Sequence, residues 1–374
     1  METRWAWAEI DLGAIAHNVS KLKALTLTGT SFMAVVKADG YGHGAVQVAR
    51  AALQGGADRL GVATVDEALV IRGAGIEAPL HILSEPPADA CGILIDHAIT
   101  PTVTTRQFAL ALGREAARRG ARAGYHLKVD TGMNRIGVRA EDAAEFVARL
   151  ADIPGLELEG TFTHFATADV PGDWDFDRQL ERFLAALDAM RTEGVAPGTV
   201  HAANSPATIL HPESHLDMVR CGIAIYGLHP APSTRGIVEL EPAMSVKARA
   251  TCVKRIGLGD GVSYGLTYRA AAPTTIVTLP LGYADGVHRV LSNRMPVLIG
   301  GVRCPQVGRV CMDQLMVEAP RGIEPSFGDE AVLVGMQGGE RILLDELADL
   351  AGTINYELAC GFGMRLSRVY KTSA

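Results

Sequence analysis

The sequence predicts an α/β protein in which an N-terminal (β/α)8 barrel of the TIM type precedes a mostly β C-terminal domain. Before residue 237, eight short apolar runs alternate with amphipathic segments, as in a barrel of repeated strand and helix units. After it, glycine and proline interrupt shorter β-rich runs, and helical periodicity returns only at 344–352. The 374-residue length also favours two domains, which we place at 1–237 and 238–374.

The elements follow from hydrophobic periodicity. Ile10, Ile15 and Val19 recur at helical spacing and predict an opening helix over residues 9–25. The barrel strands are predicted at 32–37, 59–64, 79–84, 99–105, 123–130, 156–165, 199–204 and 218–227, and the helices at 45–55, 66–74, 108–119, 141–151 and 177–193. A doubly wound open sheet shows the same alternation, which alone does not exclude it.

The second domain has a different texture. Its β-rich runs are short, and we predict them at 244–256, 274–280, 296–299, 313–317 and 331–335. Three polar motifs interrupt these runs: VSYG at 262–265, GYADG at 282–286 and RVCMD at 309–313. Taken singly, each motif fits a turn with an exposed tyrosine or aspartate better than it fits a functional site.

Composition and charge narrow the function. The formal net charge is −7 with dispersed lysines and arginines, which argues against a nucleic-acid partner. Six cysteines occur without any C-x-x-C pair, so no zinc site, other metal site or disulfide framework is expected. No signal-like N-terminus or membrane-length apolar run is present in the sequence. We therefore expect a cytoplasmic protein with no membrane association.

Polar residues recur where the predicted barrel strands end. In a (β/α)8 barrel those ends form the active-site face. Lys37 ends the first apolar strand and precedes three glycines, which makes it a candidate nucleophile whose amine is desolvated at the barrel mouth. A lysine extending into solvent is the alternative. The other strand-end residues are Lys128, Asp130, His164, Asn204, Ser205 and Arg220.

The motifs together resemble those of the alanine racemase family. They are AVVKADGYGHG at 34–44, KVDTGMNRIG at 128–137, THFA at 163–166, NS at 204–205, RCGIAIYG at 220–227, SYG at 263–265, GYADG at 282–286, CMD at 311–313 and TINYE at 353–357. They occur in the family's order over nearly the whole chain. The resemblance implies pyridoxal 5'-phosphate (PLP) as cofactor, and a head-to-tail homodimer in which each β domain completes the partner's active site.

The resemblance also implies catalytic roles. Lys37 is similar to the lysine that binds PLP covalently and then serves as one acid/base catalyst. Tyr264 is similar to the second catalyst, which comes from the other subunit and faces the opposite side of the substrate's α-carbon. Because a phenol is a poor base near neutral pH, a His164–Arg220 chain is expected to stabilise the phenolate.

Arg220 is also expected to face the pyridine nitrogen of PLP. A permanent cation there disfavours protonation of that nitrogen and weakens the cofactor as an electron sink, which favours racemisation over transamination or decarboxylation. By resemblance, the residues that hold the cofactor are Lys37, Tyr41, His164, Asn204, Ser205, Arg220, Gly222, Ile223 and Tyr356.

Substrate recognition follows from the same resemblance. Arg135 is expected to hold the substrate carboxylate, helped by the main-chain N–H of Met312 from the partner. Lys128 matches a lysine that is often carbamylated in the family, and the unmodified lysine is an equal alternative. Tyr264 and Tyr356 form walls that leave room for a methyl group, and the entrance residues are Tyr283, Asp169, Arg289 and Arg309.

The predicted function is therefore interconversion of L-alanine and D-alanine, which supplies D-alanine for peptidoglycan. A PLP-dependent racemase acting on serine, lysine or arginine is an alternative within the class. An amino acid decarboxylase would share the two-domain architecture but place a carboxylate where Arg220 stands. A PLP-binding carrier built on one barrel would not need residues 238–374.

Overall fold

A computed structural model describes residues 4–170, 172 and 174–372. The chain forms two compact units. The barrel unit comprises Ile15–Gly40 and Ala45–Glu241, and the β unit comprises Met1–Ala14, Tyr41–Gly44 and Pro242–Ala374.

The strands alternate with helices through the barrel unit and follow one another closely in the β unit. They are β1 (Ala6–Asp11), β2 (Ser31–Val35), β3 (Arg59–Val62), β4 (Leu80–Ile82), β5 (Ile99–Val103), β6 (Ala123–Asp130), β7 (Val138–Arg139), β8 (Leu156–Phe162), β9 (Thr199–His201), β10 (Met218–Cys221), β11 (Met244–Arg249), β12 (Cys252–Ile256), β13 (Gly261–Val262), β14 (Tyr268–Arg269), β15 (Thr274–Leu279), β16 (Pro296–Ile299), β17 (Val302–Pro305), β18 (Leu315–Ala319), β19 (Glu330–Gln337), β20 (Glu340–Ile342) and β21 (Ser367–Lys371).

The helical segments are α1 (Leu12–Ala24), α2 (Lys37–Tyr41), α3 (Ala45–Gln54), α4 (Val65–Gly73), α5 (Cys91–Asp96), α6 (Arg106–Arg118), α7 (Ala143–Ala148), α8 (Trp174–Thr192), α9 (Ser205–Leu210), α10 (Leu344–Ala351) and α11 (Asn355–Gly361). Segment α2 is a left-handed turn rather than an α-helix. Short 3-10 helices span Ala88–Ala90, Ala140–Asp142, Pro212–Ser214, Ile223–Tyr226, Pro232–Thr234, Tyr264–Leu266, Tyr283–Asp285 and Arg289–Leu291. None of the described helices combines the length and apolarity that a bilayer span requires.

Eight parallel strands close the barrel. Their order is β2-β3-β4-β5-β6-β8-β9-β10, and β10 pairs with β2 to complete the circle. Strand β7 only extends β6 at its end. Both faces of β2 are covered, so its central residues are apolar, and Phe32, Met33 and Ala34 are fully buried. The predicted fold class is confirmed, and closure of the sheet excludes the doubly wound alternative.

The β unit contains three sheets. The largest has the order β17-β16-β19-β11-β1-β21, with β20 paired to β19. A three-stranded sheet has the order β12-β15-β18, and β13 pairs with β14. Strand β11 alternates buried and half-buried residues, as expected for an antiparallel sheet with one face on the core.

The predicted opening helix is wrong for residues 9–11. These residues belong to strand β1, and the helix begins at Leu12. Strand β1 pairs antiparallel with β11 and parallel with β21, and Ala8 and Ile10 are completely buried. Both partners lie more than 200 residues away in sequence, so local periodicity gave no sign of them.

Three buried histidines lie on alternate strands of the barrel. His81 is on β4, His126 on β6 and His201 on β9, and their exposed fractions do not exceed 3%. The ring centroids of His81 and His126 are 4.5 Å apart, and His126 Nδ1 lies 2.8 Å from His201 Nε2. Burial, together with nearby cations, lowers the pKa of His126 to about 3 and holds those of His81 and His201 well below 6.5.

We predict that acid destabilises the barrel through these histidines. They are neutral in the folded protein but protonate in the unfolded chain below pH of about 6.5, so unfolding takes up protons. Their contribution to the free energy of unfolding is therefore fully present above a pH of about 6.5. It decreases towards pH 3, by at most about 1.4 kcal/mol per pH unit for each histidine. Urea unfolding between pH 7.5 and pH 4.5 measures the slope.

The variant H81Q tests this assignment directly. Glutamine keeps a donor for Thr102 Oγ1, which lies 3.1 Å from His81 Nε2, but it takes up no proton on unfolding. The slope of the unfolding free energy against pH should therefore decrease by an amount that corresponds to at most one proton. An unchanged slope would mean that His81 is not neutral in the folded barrel.

Candidate active site

Arg220 is the most buried cation at the carboxyl ends of the barrel strands. It lies on β10 and is only 3% exposed. Its Nη2 donates to the carbonyls of Thr163 at 2.8 Å and Ala202 at 2.9 Å, and its Nη1 lies 3.0 Å from His201 Nδ1. Within the described ranges, no carboxylate forms an ion pair with it. Burial lowers its pKa to about 9.

The tautomers of the neighbouring histidines follow from the chemistry of Arg220. A guanidinium only donates hydrogen bonds, so His201 Nδ1 and His164 Nδ1, which lies 3.2 Å from Nη2, must both accept. Each imidazole then carries its proton on Nε2, and that of His201 donates to His126. Burial and the Arg220 charge hold the pKa of His164 well below its usual value, in agreement with a neutral ring.

Lys128 adds a second buried cation on β6. Its side chain is 4% exposed, and Nζ lies 5.0 Å from the centroid of the Phe162 ring. Burial, reinforced by Arg220 and Arg135, holds its pKa well below 10.5. Arg135 itself is exposed in the loop that follows β6. Among the described residues, neither Arg220 nor Lys128 forms an ion pair with a carboxylate, although Asp130 is close enough to raise the pKa of Lys128 slightly. The basic groups make the site electropositive, which suits an anionic ligand.

The segments after β9 and β10 are joined by a hydrogen bond. The main-chain N–H of Gly222 donates to Ser205 Oγ at 3.0 Å, and both residues are buried. Asn204 caps α9, because its Oδ1 accepts the N–H of Ala207 at 3.2 Å. Ile223 is fully buried at the start of the following 3-10 helix. Asn204 therefore orients Ser205 through the backbone.

In the β unit, Tyr264 and Met312 line an open cleft of about 690 Å³. Their side chains are 71% and 52% exposed. Ser263, which has φ of 64°, donates from Oγ to the carbonyl of Arg309 at 2.6 Å and so fixes the turn that carries Tyr264. Large exposed apolar groups in one cleft are typical of an interaction surface.

The loop that carries Tyr283 is held by a buried ion pair. The N–H of Tyr283 donates to the carbonyl of Cys311 at 2.9 Å. Asp285, which is completely buried, pairs with Arg4 at 2.5 Å and accepts the N–H of Gly282 at 2.9 Å. Sequence reasoning noted the GYADG motif but missed Arg4, which lies 281 residues away. Of the other predicted entrance residues, Asp169 and Arg289 are exposed in their own units.

Tyr41 belongs to the β unit, where its ring centroid lies 6.3 Å from that of Tyr356. The adjoining carbonyl of Gly42 accepts two hydrogen bonds from Arg368, at 2.9 Å from Nη2 and 3.1 Å from Nε. Arg368 also donates to the carbonyls of Phe362, Gly363 and Leu366. Sequence reasoning missed Arg368, since an arginine near the C-terminus carries no motif signal.

The donor set fits PLP. The phosphate of PLP and the carboxylate of an amino acid are anions, and the cluster of Arg220, Lys128 and Arg135 would supply positive charge around them. Arg220 presents donors and no acceptor, which suits a ring nitrogen that stays unprotonated. No group of three or more histidine, cysteine, aspartate or glutamate residues in the described part of the chain has a metal-binding arrangement.

Two family models cover most of the chain. The model described as "Alanine racemase, N-terminal domain" matches residues 10–230, and "Alanine racemase, C-terminal domain" matches 243–370.

Full-length relatives and solved structures agree with these matches. The chain is 48% identical to the alanine racemase of Symbiobacterium thermophilum, covering 98% of this chain and 97% of the relative. It is 45% identical to that of Desulfovibrio desulfuricans, covering 98% of each. The crystal structure of alanine racemase from Bacillus anthracis with bound L-Ala-P has a TM-score of 0.93 and 40% identity, covering 99% of this chain and 96% of the other. The chain therefore belongs to the alanine racemase family.

Proposed function

We propose that this protein binds PLP and interconverts L-alanine and D-alanine. The observation that carries the proposal is the environment of Arg220, a buried cation that donates to carbonyls and neutral imidazoles and has no carboxylate partner in the described ranges. PLP, when bound, withdraws electrons from the substrate and acidifies its α-proton. Arg220 limits that effect at the ring nitrogen, which favours return of the proton over cleavage of another bond.

Two residues transfer the proton. Lys37, which holds the cofactor, removes or returns it on one face of the α-carbon, and Tyr264 of the partner subunit acts on the other face. His164 carries its proton on Nε2 because Arg220 donates to Nδ1. This Nε2–H is the donor that stabilises the phenolate of the tyrosine.

The remaining residues bind and orient. Tyr41, Ser205 and Tyr356 hold the phosphate, with the main-chain N–H groups of Gly222 and Ile223. Asn204 supports Ser205 as the cap of α9. Arg135 holds the substrate carboxylate, together with the main-chain N–H of Met312 of the partner subunit. Lys128 orients Arg135 if it is carbamylated, and otherwise adds positive charge.

The active form is a homodimer with shared sites. The exposure of Tyr264 and Met312 supports this, because a catalytic tyrosine must be shielded from bulk water by another surface. The residues that bind PLP lie mainly within 1–237, and those that complete the partner's site lie within 238–374. Tyr283, Asp169, Arg289 and Arg309 line the entrance. The enzyme acts in the cytoplasm and supplies D-alanine for peptidoglycan.

The decisive experiment is chiral chromatography of L-alanine, L-serine and L-lysine, each incubated with purified protein and PLP. We expect D-alanine to form fastest, and K37A to form none because the amine that holds the cofactor is absent. Faster conversion of serine or lysine would support the racemases of other specificity. Release of carbon dioxide and amine without D-product would support a decarboxylase and overturn the role given to Arg220.

A second prediction concerns Tyr264. L-alanine and D-alanine have equal free energies in achiral solution, so Y264F must lower kcat/KM equally in both directions. The two faces separate instead in solvent exchange. In deuterium oxide, Y264F should retain α-proton exchange from the enantiomer that faces Lys37 and lose it from the other, by about 100-fold or more. Equal loss of exchange from both enantiomers would contradict the two-base assignment.

A third prediction concerns the substrate wall. Tyr356 is half-buried, and truncation to alanine removes the ring that limits the substrate side chain. We expect Y356A to raise kcat/KM for larger side chains relative to alanine by about tenfold. The matched variant Y356F keeps the ring and removes only the hydroxyl, so it should weaken PLP binding without widening the substrate range. Unchanged selectivity in Y356A would remove Tyr356 from the wall.

A further inference from the structure

The backbone that follows Lys37 is strained. Ala38, Asp39 and Gly40 have φ values of 52°, 51° and 60°, a left-handed turn. Glycine adopts this conformation freely, whereas Ala38 and Asp39 carry a Cβ that crowds the following carbonyl. A segment in this conformation persists only where surrounding contacts hold it.

Glu67 supplies such a contact from the neighbouring strand and helix unit. Its Oε1 accepts the main-chain N–H of Ala38 at 2.6 Å. Its Oε2 accepts the N–H of Ala63 at 2.7 Å and lies 3.3 Å from that of Thr64. Glu67 is the third residue of α4, and its own N–H donates to Thr64 Oγ1 at 3.2 Å, which completes a capping box. The carboxylate is thus fixed at its base and uses both oxygens.

The position of this hydrogen bond connects Glu67 to Lys37. The amide that Glu67 binds is the one that joins Lys37 to Ala38. Two other hydrogen bonds lie further along the turn. The N–H of Ala45 donates to Asp39 Oδ1 at 2.9 Å, and the N–H of Gly40 donates to the carbonyl of Val36 at 2.9 Å. Rotation of the Lys37–Ala38 peptide group would redirect the lysine side chain, and the Glu67 hydrogen bond opposes it.

We propose that Glu67 is a positioning residue for Lys37. By accepting the Ala38 N–H, it keeps the turn left-handed and directs the lysine amine towards the aldehyde of PLP. The inference rests on the proposed function, in which Lys37 would hold PLP covalently, its nitrogen replacing the aldehyde oxygen, which would leave as water. A helix cap with no connection to the lysine is the competing explanation of the same carboxylate.

The variant E67Q separates these roles. Glutamine keeps one acceptor oxygen, which should face the two N–H groups of Ala63 and Thr64. Its NH2 group then faces the N–H of Ala38, which loses its acceptor. The matched control is E85Q. Glu85 is also half-buried and accepts two main-chain N–H groups, those of Thr104 at 2.5 Å and Thr105 at 2.7 Å, in the loop that follows β5.

Two ligands report on the lysine. PLP binds through both its phosphate and Lys37, whereas pyridoxamine 5'-phosphate has an amine in place of the aldehyde and reports on the noncovalent contacts alone. We expect E67Q to raise the dissociation constant of PLP about tenfold and that of pyridoxamine 5'-phosphate by less than about twofold. E85Q should change neither constant by more than about twofold.

Hydrogen exchange of the cofactor-free protein gives a readout that needs no ligand. The Ala38 amide should exchange faster in E67Q than in the native chain, while the amides within strands β2 and β3 keep their exchange rates. If E67Q does not fold, E67D retains the charge with a shorter reach and is compared in the same way.

Equal weakening of both ligands, or unchanged binding of both, would overturn the proposal and leave Glu67 as a helix cap. Failure of the proposed function has a different signature. In that case the native chain itself would bind PLP no more tightly than pyridoxamine 5'-phosphate, or would form no D-alanine.

Discussion

The burial of Arg220 constrains the rest of the barrel mouth. Removing a guanidinium from water costs several kcal/mol unless its donors are satisfied, and no described carboxylate pairs with it. The acceptors are instead the carbonyls of Thr163 and Ala202 and the Nδ1 atoms of His164 and His201. The strand ends that carry these atoms must therefore converge, and both imidazoles must be neutral with the proton on Nε2.

Among the described residues, Arg220 has neutral hydrogen-bond acceptors and no ion pair, so its positive charge is not neutralised by a salt bridge there. Lys128, also buried, adds to it, and the pKa values of both groups are lowered chiefly by burial. A carboxylate paired with Arg220 or Lys128 would stabilise the ligand-free protein, but it would repel an anionic ligand. In the proposed function, anionic ligands would bring negative charge to the barrel mouth, so their binding would stabilise its folded conformation.

The sequence predicted the barrel well because its strands are buried on both faces. Their apolar runs, such as Phe32 to Val35, are readable without knowledge of partners. Strand β1 was not predictable in this way, because its residues form a strand only through pairing with β11 and β21, which are distant in sequence. The same limit applies to Glu67, Arg368 and Arg4. Arg368 and Arg4 act through main-chain groups or a distant aspartate and belong to no local motif. The capping box of Thr64 and Glu67 is a local motif, but it gives no sign that Glu67 also accepts the N–H of Ala38.

The missed residues share a physical task. Lys37, Tyr41 and Tyr283 lie in loops whose own sequences do not favour or fix the observed conformation. Glu67 and Arg368 bind the main chain of the first two loops, and Arg4 binds Asp285 in the third. Charged hydrogen bonds are stronger and more directional than neutral ones, so they suit loops whose side chains must point accurately. Strain at Ala38 and Asp39 is then a cost of orienting the lysine that follows β2, and Glu67 offsets it from a rigid helix terminus. In the proposed function, the motif residues would carry the chemistry, and residues outside the motifs would set its geometry.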